Sequence, residues 1–405
     1  MISKGIATFT LDYGKCPPWL FERMVRLGRE MTYIIIDEYG PDEFVRRISD
    51  PVWFQSLGTV LAFDWNASGL TTILTAALKE AIRGREQDLG LFIAGGKGKT
   101  SKKTPDQIAE YSERVNIDNA VSKNLVYNSK MAAKVDNALL QDGYQIYHHA
   151  FFFTKRGVWS VVQQGMNTDT VSARRYHWYS DNIKDIVVEP HSGIASQAFG
   201  AALNLSAQKR DKTRDVSVDL VNAGYNSVMK EITILRKHSS RLSSMIALST
   251  RDGKTPGVKN ALTPGVEEER KEHQLTLLQL YDVDFDTHPV VHEDFSKSKY
   301  LEKVFFNVTE QKPDSYEKLL ATKGVGPKTM RALSLVAEVI YGAKPSYEDP
   351  ARYSFAHGGK DEIPYPVDTE TYDQTIEFFK RVINKTRLSF FDKKRLLSKI
   401  EKKPS

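Results

Sequence analysis

The chain has 405 residues, of which 40% are hydrophobic and 27% charged, and its formal net charge is +6. This length suits two or three domains of roughly 100–200 residues, and the composition excludes a disordered or fibrous protein. No run of the sequence approaches the ~18 apolar residues that a membrane span requires, and the single cysteine, Cys16, excludes an internal disulfide and a cysteine-based zinc site within one chain. Because the sequence enters Ile6–Leu11 without a charged-then-apolar leader, we expect a cytoplasmic protein with no membrane partner.

Short strand-like runs alternate with helical ones over residues 1–195, which predicts an α+β domain with a mixed or antiparallel sheet. Two long runs flank Thr154–Gly157 and predict a β-hairpin. Strand-like runs lie at 8–11, 33–36, 58–63, 90–94, 144–153, 158–164 and 186–190, and helical patterns at 70–83 and 106–115.

A loop rich in glycine and lysine, Gly95–Lys103, follows one of these predicted strands. Backbone N–H groups of such a loop can cradle phosphate, so Lys97 and Lys99 are candidate nucleic-acid contacts. The spacing does not fit a Walker motif, and we therefore infer no nucleotide hydrolysis. The alternative is a flexible basic loop without a ligand.

A dense polar cluster follows the second strand of the hairpin. Arginine forks bind phosphate and side-chain amides can read base edges, so this cluster is a second candidate contact region. Its members are Gln163, Gln164, Asn167, Arg174, Arg175 and His177. His148 and His149 are neighbours on one predicted strand, so their side chains are expected to face opposite ways.

A metal-dependent nuclease would need clustered carboxylates, which would hold Mg²⁺ or Mn²⁺. Asp64, Asp136 and Asp142 are the candidates in this half of the chain. His288 and His292 have the spacing of two ligands on one helical turn, but the proline between them argues against a regular helix. Apart from the nuclease alternative, we expect no metal and no cofactor.

From residue 196 the pattern predicts a mainly α-helical domain that ends near residue 384, with helices at 266–280, 296–306 and 368–384. Residues 385–405 are expected to form a basic C-terminal tail. Residues 380–405 contain ten basic and two acidic side chains, so this end of the chain should attract polyanions.

The most informative stretch is residues 315–342. Asp314 with Glu317 predicts a capping box, Gly324 and Gly326 permit a tight turn, and Pro327 suits the first turn of a second helix. The start of that second helix offers N–H groups and a positive dipole end to a phosphate chain. Its apolar residues recur every three or four positions and predict one buried face. The candidate contacts are Lys323, Gly324, Val325, Gly326, Lys328, Thr329 and Arg331.

With Gly324–Thr329 as its signature, this stretch resembles the helix-hairpin-helix elements that bind nucleic acid independently of sequence. The hairpin and the later Pro366-Val-Asp368 also resemble base-excision DNA glycosylases of the helix-hairpin-helix superfamily. That resemblance implies Lys328 as an amine nucleophile of a lyase step and Asp368 as the carboxylate that assists departure of the base. An unprotonated lysine can act in this way when nearby cationic groups lower its pKa.

Nearly the whole chain resembles an uncharacterised prokaryotic family known only as a domain of unknown function (763), which implies no activity. The segments that carry this resemblance are 17–24, 63–69, 95–98, 141–144, 163–167 and 174–178. Taken together, the sequence predicts a protein of nucleic-acid repair or processing that binds DNA, or alternatively RNA. The leading expectation is a DNA glycosylase with AP lyase activity. The alternatives are a metal-dependent nuclease and a non-enzymatic DNA- or RNA-binding protein.

Overall fold

The computed structural model describes residues 3–4, 16–61, 67–196, 202–234, 299–351, 353–354 and 369–401. The chain divides into two compact units. Unit 1 is drawn from residues 1–137, 142–200 and 349–405, and unit 2 from residues 138–141 and 201–348. No pattern in the sequence indicates that residues 138–141 group with unit 2 or that residues 349–405 group with unit 1.

Helices predominate in both units. In chain order they are α1 (Pro18–Tyr39), α2 (Pro41–Ile48), α3 (Pro51–Val60), α4 (Ala67–Ala81), α5 (Glu86–Leu89), α6 (Thr104–Arg114), α7 (Asn119–Ala138), α8 (Asp211–Asn222), α9 (225–234), α10 (Lys299–Gln311), α11 (Tyr316–Ala321), α12 (Pro327–Val339), α13 (Thr369–Lys385) and α14 (Phe390–Glu401). The strands are β1 (Ser3–Lys4), β2 (Leu91–Lys97), β3 (Leu140–Gln141), β4 (Gln145–Thr154), β5 (Trp159–Asn167), β6 (Ser172–Tyr179), β7 (His191–Ser196), β8 (Leu203–Asn204) and β9 (Tyr353–Ser354).

Unit 1 is built on a seven-stranded sheet in the order β1-β9-β7-β6-β5-β4-β2. The five strands from β7 to β2 are antiparallel, whereas β9 pairs in parallel with β7 and with β1. The predicted α+β class, with an antiparallel sheet in the N-terminal part and helices in the C-terminal part, is confirmed. The predicted hairpin is present as β4 and β5.

The main core of unit 1 lies between one face of this sheet and helices α1–α4. Helix α13 completes it, because Phe379 stacks on Trp53 with ring centroids 5.5 Å apart and Val382 is fully buried. The basic segment predicted as a tail contains α14, whose Leu396 is buried in the same core.

Three predicted strands are wrong. Residues 33–36 lie in α1, because this β-branched run is part of a longer helical pattern in which Met24, Met31 and Ile35 are buried. Residues 58–60 lie in α3, whose start is fixed by the Asp50 carboxylate accepting from two backbone N–H groups. Residues 186–190 form turns, and strand β7 begins only at residue 191. The predicted strand at 8–11 lies outside the described residues.

Unit 2 is mainly helical. Helix α12 packs against α8 and α10, and Leu333 and Phe305 are fully buried there. A short antiparallel pair, β3 with β8, is extended by a bridge between Asn204 and Ser346. The predicted helix over 296–306 corresponds to α10, whereas the one over 266–280 lies outside the described residues.

None of the helices that the structure describes combines the length and the apolar character needed to cross a membrane.

Candidate nucleic-acid interface

Residues 315–339 of unit 2 form two helices joined by a tight turn. The first helix, α11, is capped by Ser315, whose Oγ accepts from the backbone N–H of Lys318 at 3.3 Å. Asp314 lies outside the helix, and its carboxylate pairs with Lys318 Nζ at 2.6 Å. The predicted capping box of Asp314 and Glu317 is therefore wrong, because the extended backbone of Ser315 places the serine at the cap, and the third residue after it is Lys318.

The fold requires a glycine at one of the two glycine positions of the turn but not at the other. Gly324 has φ +93°, and a Cβ added there would lie 3.2 Å from Val304 Cγ2. Gly326 has extended backbone angles, φ −153° and ψ −167°, that any residue can adopt, and apart from its two chain neighbours no atom of the described residues lies within 4 Å of an added Cβ. Folding therefore explains the glycine at 324 but not the glycine at 326.

Helix α12 is buried along most of its length, and its exposed residue, Lys328, lies in the first turn. Every residue from 329 to 339 is buried except Arg331, which is half-buried, whereas Lys328 is exposed. The expectation of a single buried face is therefore too narrow, because α8 and α10 pack around the helix. Its N-cap residue, Gly326, has no side chain that could cap the helix. The side of the helix that reaches solvent is thus at Lys328, in the turn that carries the positive end of the helix dipole.

Gln141 of β3 fixes the start of α12. Its Nε2 donates to the carbonyl oxygen of Pro327 at 3.0 Å, and its Oε1 accepts from Arg331 Nε at 2.6 Å. Arg331, a predicted phosphate contact, therefore also has a positioning role. Sequence reasoning missed Gln141 because nearly 190 residues separate it from its two partners.

Tyr300 of α10 is a second residue that the sequence did not indicate. Its hydroxyl donates to the carbonyl oxygen of Gly324 at 3.2 Å, and 62% of the residue is exposed. Lys323 is exposed in the same turn, whereas the side chains of Val325 and Thr329 are buried and could contribute only backbone groups. The solvent-facing surface therefore consists of the turn backbone, Lys323 and Lys328, which we call the hairpin surface, and Tyr300 lies beside it.

The polar cluster of β5 and β6 is placed inside unit 1 and divided between the two faces of the sheet. Gln163 and Arg174 lie on the face covered by α7, and Gln164, Arg175 and His177 on the face covered by α3 and α4. All five are at most 2% exposed. Asn167 lies at the end of β5, where its Oδ1 accepts from two backbone N–H groups of the following turn.

Arg174 is held by two carboxylates. Its guanidinium donates to Asp142 at 2.9 Å and to both carboxylate oxygens of Asp349 at 3.0 and 2.7 Å. Tyr176 donates to the same oxygen of Asp142 at 2.7 Å. Burial raises the pKa of Asp142, although Arg174 and Tyr176 act in the opposite direction. These donors bind internal carboxylates, so the geometry assigns Arg174 to the stability of the unit.

Asp136 is the centre of a second buried network. Its carboxylate accepts from Gln163 Nε2 at 2.5 Å, from Trp178 Nε1 at 3.0 Å and from His191 Nε2 at 2.5 Å. Because Gln163 donates to Asp136, its Oε1 accepts from His149 Nδ1 at 2.8 Å. The neutral ring that results accepts at Nε2 from a buried serine hydroxyl on α7.

The adjacent histidines face opposite ways, as expected. His149 is bound on the α7 side, whereas His148 Nε2 lies 3.1 Å from the Thr75 hydroxyl of α4. Burial, followed by the proximity of His149 and Lys97, lowers the pKa of His148 to about 3. Burial likewise lowers the pKa of His149 and of His177, so all three rings are neutral near pH 7.

The remaining candidates are dispersed. Lys97 and Lys99 are exposed at the end of β2 and in the 3₁₀ turn that follows. The glycine at position 95 is required by the fold, because a Cβ there would lie 2.1 Å from the carbonyl oxygen of His149. In the part of the chain that the structure describes, no group of three or more His, Cys, Asp or Glu side chains could hold a metal. Asp64, His288, His292 and Asp368 lie outside the described residues.

The fold and the site define a two-unit α+β protein whose basic hairpin surface lies beside an exposed aromatic residue. The chain belongs to the family described as "Protein of unknown function (DUF763)", which matches residues 5–367. Neither the curated proteins nor the solved structures contain a significant match. Helix α13 and helix α14 follow the matched region, although α13 is part of the core of unit 1.

Proposed function

We propose that this protein binds the sugar-phosphate backbone of DNA, independently of base sequence, through the hairpin surface, as part of nucleic-acid repair or processing. One observation carries the proposal: α12 starts at a half-buried glycine that has no side chain to cap it, and Lys328 beside it is exposed, whereas residues 329–339 are buried apart from the half-buried Arg331. Backbone N–H groups at a helix start favour an anion, and the dipole of the helix adds positive potential there.

The position of Gly326 supports this proposal. A serine, threonine, aspartate or asparagine at the N-cap would satisfy the first N–H groups of the helix, and the backbone angles at this position accept such residues. A glycine instead leaves both the amides and the space in front of them accessible to a phosphate group. Lys323 and Lys328 are exposed on either side of Gly326 in sequence and add charge that attracts polyphosphate.

The proposal is tested by fluorescence anisotropy with labelled duplex DNA and with RNA of the same sequence over a range of salt concentrations. We expect low-salt binding whose affinity falls steeply as salt is added. The Lys323→Gln/Lys328→Gln double variant should reduce the slope of log K against log salt by roughly 2, since each phosphate contact contributes about 1. Lys318→Gln is the matched control, because that exposed lysine pairs with Asp314.

Two results would oppose the proposal. One is a folded protein that binds no polynucleotide at low salt. The other is a double variant whose salt dependence equals that of the wild type and of Lys318→Gln. If RNA binds more tightly than DNA, the hairpin surface remains the proposed binding site and RNA replaces DNA as the proposed ligand.

Catalysis by this surface is a separate question. Lys328 is the amine that a lyase mechanism would use, and its exposure allows a sugar carbon to approach it. Borohydride reduction on abasic duplex DNA would trap the imine as a covalent adduct. An adduct that is lost in Lys328→Gln would extend the proposed binding function to a lyase, and the absence of any adduct would restrict it to binding.

A further inference from the structure

The ring of Tyr300 is held beside the hairpin turn. The tyrosine hydroxyl donates to the carbonyl oxygen of Gly324, and Val304, one helical turn along α10, packs against Gly324 itself. The aromatic ring is therefore anchored at its hydroxyl end and at its helix. Even so, 62% of the residue remains exposed, the largest value among the large hydrophobic side chains described in unit 2.

An anchored and exposed ring offers a flat apolar face to solvent. In single-stranded nucleic-acid binding, such faces stack on bases in grooves whose positive charge follows the backbone. Lys303 supplies positive charge on the same side of α10, because residues three apart on a helix are neighbours, and Lys303 is exposed. Lys323 is exposed in the turn that Tyr300 contacts.

The ring can distinguish unpaired from paired bases, which contacts to the backbone cannot do. A helix start and lysines bind phosphate whether or not the bases are paired. Within a duplex the base faces are covered by neighbouring base pairs, so an aromatic side chain can stack only where a base is unpaired or has been moved out of the stack.

We propose that Tyr300 stacks on an unpaired base next to the phosphates held by the hairpin surface. This inference rests on the proposed backbone-binding function. The preferred substrate class is then a polynucleotide with single-stranded character at the site, such as a single strand, a gap or a frayed end. A fully paired duplex binds through the lysines and the helix start alone and therefore binds more weakly.

The test compares a single-stranded oligonucleotide with a blunt duplex of the same sequence and length by anisotropy at low salt. Tyr300→Ala should weaken single-strand binding about fivefold or more and leave duplex binding nearly unchanged. Tyr300→Phe retains the ring and should stay close to the wild type. Tyr341→Ala is the matched control, because this tyrosine is 46% exposed and follows the far end of α12. Thermal melting of every variant checks that the fold is retained.

Several outcomes are informative. Equal loss of affinity in Tyr300→Phe and Tyr300→Ala would overturn stacking, since it would assign the effect to the hydroxyl that holds the turn. Equal binding of single strand and duplex by the wild type, with Tyr300→Ala unchanged, would overturn the substrate preference while leaving the backbone-binding function intact. A failure of the folded wild type to bind either probe would overturn both proposals.

Discussion

The hairpin surface and the polar cluster of β5 and β6 both contain basic residues but differ in their surroundings. Lys323 and Lys328 of the hairpin are exposed, and the half-buried glycine at 326 leaves room in front of a helix start. The arginines, glutamines and histidine of the strands are buried and are bound by internal partners. A basic or amide side chain is therefore informative about ligand binding only once its burial is known.

The largest expected effect concerns Arg174. Arg174→Met leaves Asp142 and Asp349 buried without their shared cation, and breaking a buried ion pair costs about 3–5 kcal/mol of unfolding free energy. Urea unfolding followed by circular dichroism measures the loss. Arg156→Met is the control, because the Arg156 side chain is 82% exposed in its pair with Asp42 and such pairs contribute about 0–1 kcal/mol. Equal stability of the two variants would contradict the claim that Arg174 is a buried, structural arginine.

The next effect concerns the pH dependence of stability. The folded state keeps His148 neutral down to about pH 3, whereas the ordinary pKa is 6.5, so between these values the unfolded state binds more protons. Stability is therefore lost as the pH falls below 6.5. A change from pH 7 to pH 5 should cost about 2 kcal/mol for this histidine. His148→Gln should remove that part of the pH dependence in urea unfolding, and an unchanged pH profile would contradict the assignment.

The two glycines of the hairpin allow a sharper comparison. Gly324→Ala should cost about 1–2 kcal/mol of unfolding free energy, because alanine tolerates a positive φ poorly and its methyl group would crowd Val304. Differential scanning calorimetry would show this as a lower melting temperature. A melting temperature equal to that of the wild type would mean that the turn can rearrange at little cost.

The smallest expected change in stability concerns Gly326. In Gly326→Ser the new hydroxyl can cap the start of α12, so unfolding free energy should change by only a few tenths of a kcal/mol. The same hydroxyl competes with phosphate for the helix amides, and affinity for polynucleotide should fall about tenfold. Wild-type affinity in this variant would show that the space in front of the helix is not used for binding.

The sequence predicted those parts of the fold whose signals are local and long. Strands β4 and β5 follow nearly continuous β-type runs around a short turn, and helices α4, α6 and α13 follow clear helical periodicity. A four-residue window led to the wrong strand at 33–36, where the surrounding helical pattern should have decided the structure. Strand β6 was missed because two arginines and a histidine interrupt its apolar residues, and the partners of Arg175 and Trp178 lie on α3, α4 and α7.

The hairpin was predicted because proline and glycine determine backbone angles with little help from distant residues. Its neighbours were not predicted. Folding brings Gln141 and Tyr300 into contact with the hairpin, and such long-range contacts cannot be predicted from a single sequence. The burial of Arg174 could not be predicted either, because the sequence does not distinguish a buried, paired arginine from an exposed one.

The central claim is that phosphate binds at the start of α12, and hydrogen–deuterium exchange tests it most directly. Exchange would be followed by mass spectrometry on the wild-type protein with and without an oligonucleotide at low salt. We expect the strongest protection in the peptides that cover residues 322–331, and loss of that protection in Gly326→Ser. Binding of the oligonucleotide without protection of this segment would contradict the account.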